Sequence, residues 1–382
     1  MDTNAPIFSA ISHSANQLYL LLKCVDFAPQ ASIQITPHGM NFSVEEGRVL
    51  QGLAFLDKAL FTHYLFNAPR NEDETQDNDN SSDSSLYPRF TISLSALLET
   101  LQIFGINDLS QSPQMMNAVS SSTMNAFSIP TLGMSRSCTL SYFRRGSPLC
   151  ITLAEAGITT TCELSTYEND VDALGSSQQD SDIPLQRDAI MFKIIMRSTW
   201  LHNAITELDA TAPTVLAISA SPTRPPFFAL SASGGPFSES KVEFAIDKES
   251  SGGDDSAYRT FNEDGTSRQP RRGKLAPTVT ETFQVHPPPS KSRVKQRYRF
   301  ALVRKALRAM GVASKVSIRG DQQGVLSLQF MIELGGEGVE NGSSMGEPAT
   351  APGKPCTNVS FIDFRFVPLV DEVNENPSDE DT

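Results

Sequence analysis

The chain has 382 residues, 39% of them hydrophobic, with a formal net charge of −13. This composition supports a sizeable core and excludes a wholly disordered chain, a collagen-like fibre and a small disulfide scaffold. The acidity argues against nonspecific nucleic-acid binding through net charge, and no apolar run approaches the roughly 20 residues that cross a bilayer.

The opening stretch, MDTNAPIFSA, carries neither a basic region nor a long apolar one, so no secretory signal is expected. A strand is expected over Ile7–Ile11, then a helix whose stripe is Leu18, Leu21, Leu22 and Val25. Alternation then gives strands at Ser32–Thr36, Met40–Glu45, Leu50–Leu56 and Thr62–Phe66. The pattern recurs. Arg89–Leu94 leads into a helix with Leu94, Leu97, Leu98 and Leu101, ending at Gly105. Strands follow at Cys138–Phe143, Leu149–Ala154 and Ile158–Leu164.

A third unit starts with Ala189–Met196 and a helix carrying Leu201, Ala204, Ile205 and Leu208. Its strands are Val215–Ser219, Phe227–Ala232, Lys241–Ile246 and, after an insertion, Thr280–His286. The fourth has Lys295–Phe300, then a helix with Val303, Ala306, Leu307 and Met310 ending at Gly311. Lys315–Arg319, Val325–Ile332 and Val359–Val367 close the chain. Ser14, Ser95 and Ser198 are expected helix N-caps and the two glycines C-caps. Four such stripe residues contribute on the order of 6–12 kcal/mol of apolar burial per helix before entropy is counted. The fold class is α+β, with helices on one face of antiparallel sheets.

The stretches at about 67–87, 107–136, 166–185, 248–279, 286–293 and 334–356 are poor in large apolar residues, as is the tail from Val370. They read as loops inserted on a shorter core, because they bury too little surface to offset their ordering entropy. The expected organisation is an N-terminal domain over 1–165, a connector over 166–185, a C-terminal domain over 186–369 and a disordered acidic tail over 370–382. Each domain then holds two strand–helix–sheet repeats.

Metal and acid–base chemistry have no visible home. The five histidines are scattered, with no H-x-x-x-H or H-E-x-x-H, and no phosphate-binding or nucleophile motif occurs. Glu207 and Asp209 are the one acidic pair on an ordered element, and a solvated helix end accounts for them. Cys24, Cys138, Cys150, Cys162 and Cys356 are widely spaced without C-x-x-C, which fits reduced thiols in the cytosol or nucleus. No cofactor and no metal are expected.

The acid is concentrated in Glu72–Asp83, Glu168–Asp182 and Asp371–Asp381. Lys291–Arg319, by contrast, carries ten Lys and Arg residues and no Asp or Glu. Arg304, Lys305 and Arg308 fall opposite the apolar stripe of the fourth helix, and Lys291, Arg293, Lys295, Arg297 and Arg299 share one side of the preceding extended segment. Long cations on one surface suit phosphate contact without base reading. Lys23 on the first helix is a lone addition, and Glu99 and Glu207 make the surface patchy.

Four segments carry a family resemblance: QLYLLLKCVDF (17–27), FTISLSALLETLQIFG (90–105), LHNAITELDAT (201–211) and SKVSIRGDQQGVLSLQFMI (314–332). The chain resembles sliding DNA clamps of the PCNA type, and more closely the Rad-one-type checkpoint clamp subunits of the nine-one-one ring. The resemblance implies a PCNA-like fold and a non-catalytic subunit that joins two other clamp subunits in a heterotrimeric ring around duplex DNA. It implies loading by a clamp-loader ATPase, recruitment of checkpoint and repair proteins, a nuclear location and no membrane partner. Lys23, Arg304, Lys305 and Arg308 would face DNA phosphates. Ring closure would use the edge strands Ile158–Leu164 and Lys241–Ile246, through Ile158, Thr160, Cys162, Leu164, Lys241, Glu243 and Ala245. Partners would dock outside, near Thr166–Pro184 and Phe364–Pro368. The rival readings are a 3′-to-5′ exonuclease, using Glu207 and Asp209, and a self-trimerising replicative processivity clamp.

Overall fold

A computed structural model of the chain describes residues 5–67, 87–105, 137–155, 158–167, 182–246, 280–334 and 358–370. Most of the expected insertions, and the tail beyond Val370, lie outside the described residues.

Each expected strand is present, with ends shifted by at most two residues. The first unit is β1 (Phe8–Ser12), α1 (Ala15–Lys23), β2 (Gln30–Thr36), β3 (Gly39–Glu46), β4 (Leu50–Asp57) and β5 (His63–Phe66). The second is β6 (Arg89–Ser93), α2 (Leu94–Gly105), β7 (Ser137–Tyr142), β8 (Leu149–Glu155) and β9 (Ile158–Leu164). The third is β10 (Ile190–Arg197), α3 (Ser198–Asp209), β11 (Val215–Ala220), β12 (Phe228–Ser233), β13 (Glu239–Phe244) and β14 (Thr280–Val285). The fourth is β15 (Val294–Arg299), α4 (Phe300–Arg304), α5 (Leu307–Val312), β16 (Lys315–Asp321), β17 (Leu326–Leu334) and β18 (Asn358–Phe366). Strict alternation of buried and exposed residues, as in Phe8–Ser12, explains why these segments are strands with one face on the core.

The leading strand of each unit pairs with the other unit of its half, and β1 and β10 also pair with β5 and β14 of their own units. β1 pairs with β7 of the second unit, and β6 returns to pair with β2 of the first. In the same way β10 pairs with β16, and β15 with β11. Three sheets result, with orders β5-β1-β7-β8-β9, β14-β10-β16-β17-β18-β4-β3-β2-β6 and β13-β12-β11-β15. The nine-stranded sheet is continuous across the chain because β4 pairs antiparallel with β18, from Leu50↔Phe366 to Phe55↔Phe361.

Local helix signals were partly misread. Ser14 caps α1 as expected, accepting from the Gln17 N–H at 3.2 Å. In α2 it is Ser93, not Ser95, whose Oγ accepts from the Ala96 N–H at 3.3 Å. Ser198 is not a cap but the buried first residue of α3, donating to the Met310 carbonyl at 2.7 Å. The fourth helix breaks at Lys305 and Ala306 and runs past Gly311 to Val312. The expected loop at 286–293 is tied down: Arg293 donates to Ser219 Oγ at 2.8 Å and to the Pro226 carbonyl at 2.9 Å.

Aromatic rings cluster at the seam between β4 and β18. Phe27 lies over Gly52, where a Cβ would come within 2.7 Å of its ring. Its ring centroid is 6.0 Å from that of buried Phe364, which in turn meets Phe330 and Phe366.

Candidate nucleic-acid interface

The helices form a row of two adjoining pairs, since the Arg308 charge on α5 reaches Cys24 at the end of α1. α1 packs on α2, and α3 packs on α5. Lys305, between α4 and α5, bonds Glu46 at the end of β3 and sits 5.9 Å above the Phe27 ring. All four apolar stripes are turned inward; of their residues only Leu307 is more than slightly exposed. The opposite flanks carry the polar residues, as amphipathic helices require.

The cations on that flank are largely neutralised nearby. Lys23 pairs with Asp26 on the turn after α1. Arg304 reaches Asp209 at 3.4 Å, and Lys305 holds Glu46. Arg308 is exposed and has no ion-pair partner among the described residues. It lies close enough to Cys24 to act on its thiol: burial pushes that thiol up to about 11, and the Arg308 charge pulls in the opposite direction. With Glu99 and Glu207 also exposed, the flank is a mixed field rather than a basic stripe.

Of the basic run before α4, Lys295, Arg297 and Arg299 share one face of β15, opposite Val294 and Tyr298. Arg293 does not join them, since it is committed to the 224–226 loop.

β9 and β13 stand at the free ends of their sheets. On β9, Ile158 and Thr160 are exposed, while Cys162 and Leu164 lean on the core. On β13, Lys241 and Glu243 point outward and pair with each other at 2.8 Å. Ala245 lies one residue beyond the strand, and Glu239 takes the outward position at its start.

A family model described as Repair protein Rad1/Rec1/Rad17 matches residues 7–332. The chain belongs to that family. It is 30% identical to the DNA damage checkpoint control protein rad1 of Schizosaccharomyces pombe over 377 residues, covering 97% of this chain and 88% of the relative. It is 27% identical to the cell cycle checkpoint protein RAD1 of Homo sapiens over 321 residues, covering 84% and 83%. Among solved structures, PCNA from Thermococcus kodakaraensis superimposes with a TM-score of 0.52 at 14% identity, covering 95% of this chain and 100% of PCNA. The fold is therefore PCNA-like.

In this Rad1-family chain the ends of the connector are anchored on the nine-stranded sheet. Tyr167 bridges Thr91 through two backbone bonds of 2.8 Å. At the other end, Gln51 and Arg365, directly opposite across the seam, grip one residue. Gln51 Oε1 accepts the Ile183 N–H at 3.0 Å, and Arg365 Nη1 donates to the Ile183 carbonyl at 2.8 Å. Beside this grip, a hollow of about 310 Å³ opens on the outward face of the sheet, lined in part by Leu53, Phe55, Arg89, Asp182 and Phe361. The apolar residue presented there is Phe361, 48% exposed, while Phe364, at the start of the expected Phe364–Pro368 segment, is fully buried.

Glu207 and Asp209 do not form a carboxylate pair on the row, because Asp209 is taken up by Arg304. Among the described residues, no group of three or more His, Cys, Asp or Glu side chains is placed to hold a metal ion.

Proposed function

We propose that the chain is a non-catalytic subunit of a heterotrimeric DNA-damage checkpoint clamp, with 1–165 and 186–369 as its two clamp domains. It encircles duplex DNA in the nucleus, is loaded by an ATP-driven clamp loader, and recruits checkpoint and repair factors. The observation that carries this reading is the two helix pairs, α1 on α2 and α3 on α5, together with edge strands β9 and β13 that have a neighbour on one side only among the described residues. An unpaired edge is a template for another chain, and head-to-tail edges close into a ring when the rotation fits. A row whose cations are mostly internally paired supports weak phosphate contact, so retention comes from topology and the ring can slide.

The test has two stages. The isolated chain should run as a monomer and form a three-membered ring only with two other clamp subunits; a stable homotrimer overturns the heterotrimer. In the assembled ring, Arg308→Ala should reduce the salt dependence of DNA association by about 0.9 in log–log slope, the value of one phosphate contact. The triple Arg304→Ala, Lys305→Ala, Arg308→Ala should reduce it further. An unchanged slope in the triple variant removes the helix row as the DNA face. Nuclease activity abolished by Glu207→Ala and Asp209→Ala would overturn the non-catalytic reading.

A further inference from the structure

A basic hollow lies on the outward face of the nine-stranded sheet, away from the helix row. Lys193 of β10 stands directly opposite Arg319 of β16, and on its other side opposite Gln284 of β14. Arg187, in the short turn before β10, and His286, just after β14, close the ends. These side chains line a space of about 320 Å³, and no carboxylate is among its lining residues.

The arrangement is costly for the free protein. Like charges directly opposed across a ladder destabilise it. Arg319 spends one Nη donor on Gln329 at 2.7 Å, while its Nε is shielded from solvent and has no partner among the described residues. Burial and the neighbouring Arg187 and Arg365 all push its pKa down, opposed by Asp363. Asp363 offsets part of this charge from beside the hollow, while it also accepts from Ser327 Oγ at 2.6 Å and Arg365 Nε at 3.2 Å.

We propose that this hollow binds a phosphate monoester carried on a serine or threonine of a partner protein. Such a group brings nearly two negative charges and three acceptor oxygens, which matches several cations converging on one space. A nucleic-acid backbone fits less well. It spreads its charge along a line, about 3.4 Å per phosphate on each strand, whereas these cations surround a single hollow. Lys193 and Arg319 also alternate with residues such as Phe192, Ile194 and Ile318, which are buried on the helix side, so the hollow faces away from the row assigned to DNA. Leu185 and Ile190 supply apolar lining for residues flanking the phosphate. Phosphate binding at this hollow does not require ring assembly.

The experiment uses the full chain alone. At constant ionic strength, inorganic phosphate should raise its melting temperature saturably, and chloride should not. A degenerate phosphoserine peptide pool should bind at least ten-fold more tightly than the same pool unphosphorylated. The double variant Arg187→Ser, Lys193→Thr should lose both effects and should melt no lower than the parent in phosphate-free buffer, because the opposed charges are gone. If that variant melts without cooperativity, Arg187→Ser alone, in an exposed turn, decides by the same two readouts. Equal stabilisation by chloride, or equal binding of the two pools, overturns the proposal. So does a single-stranded oligonucleotide that binds better than the phosphopeptides and loses binding in the variant.

Discussion

Replacing Gln51 by leucine tests whether the connector is fastened to the seam. Leucine keeps nearly the same volume, so little cavity cost is added. Three hydrogen bonds go. The amide donates to Ser43 Oγ at 3.1 Å and to Asp182 Oδ1 at 2.7 Å, and accepts the Ile183 N–H at 3.0 Å. The Asp182 carboxylate is exposed and rehydrates, so its loss costs no more than about 1 kcal/mol. The Ile183 N–H is different, because the residue is 6% exposed and its donor is left without an acceptor. An orphaned buried donor costs about 1–3 kcal/mol. The expected total is about 2–4 kcal/mol, measured by urea unfolding, together with faster amide exchange at Ile183. Asp182→Asn should cost under about 1 kcal/mol, separating the charged bond from the backbone one. If Gln51→Leu changes stability by less than about 0.5 kcal/mol and leaves Ile183 exchange as it was, the fastening does not hold.

Two further outcomes follow from buried groups. Ser198→Ala removes a fully buried hydroxyl that donates to the Met310 carbonyl at 2.7 Å between α3 and α5; it should cost about 1–2 kcal/mol in thermal or urea unfolding, and a cost near zero would mean the bond is not formed in solution. Cys24 should resist alkylation at pH 8 in the folded protein, since burial raises its pKa from 9.0 to about 11, and Arg308→Ala should slow labelling further because it removes the charge that favours the thiolate. The folded chain keeps this proton while the unfolded chain loses it, so Cys24's contribution is intact below pH 9 and falls by about 2–3 kcal/mol as pH rises to about 11. Rapid native labelling by mass spectrometry would contradict the burial.

The strands were legible because alternation is a local property: a residue's side in Phe8–Ser12 or Lys315–Asp321 is set by its immediate neighbours. The repeat of strand, helix and strands was legible for the same reason. The exchange of leading strands was not, nor was the pairing of Leu50–Phe55 with Phe361–Phe366, because contacts about three hundred residues apart leave no short-range signal. Arg304 and Lys305 fall opposite the apolar stripe, yet their pairing with Asp209 and Glu46 comes from distant elements. Lys23 with Asp26, three residues apart, was within reach of the sequence and was passed over. The basic hollow was invisible in one dimension. Lys193, Gln284 and Arg319 sit on three strands spread over more than a hundred residues, each unremarkable alone.

The grip of Gln51 and Arg365 on Ile183 has a mechanical corollary. A sheet that runs unbroken through the middle of the chain, with a strap bolted over its central joint, resists folding about that joint. Flexure is driven outward to the edge strands of the sheets. In the ring proposed above, any opening would therefore lie between neighbouring subunits, leaving each one stiff.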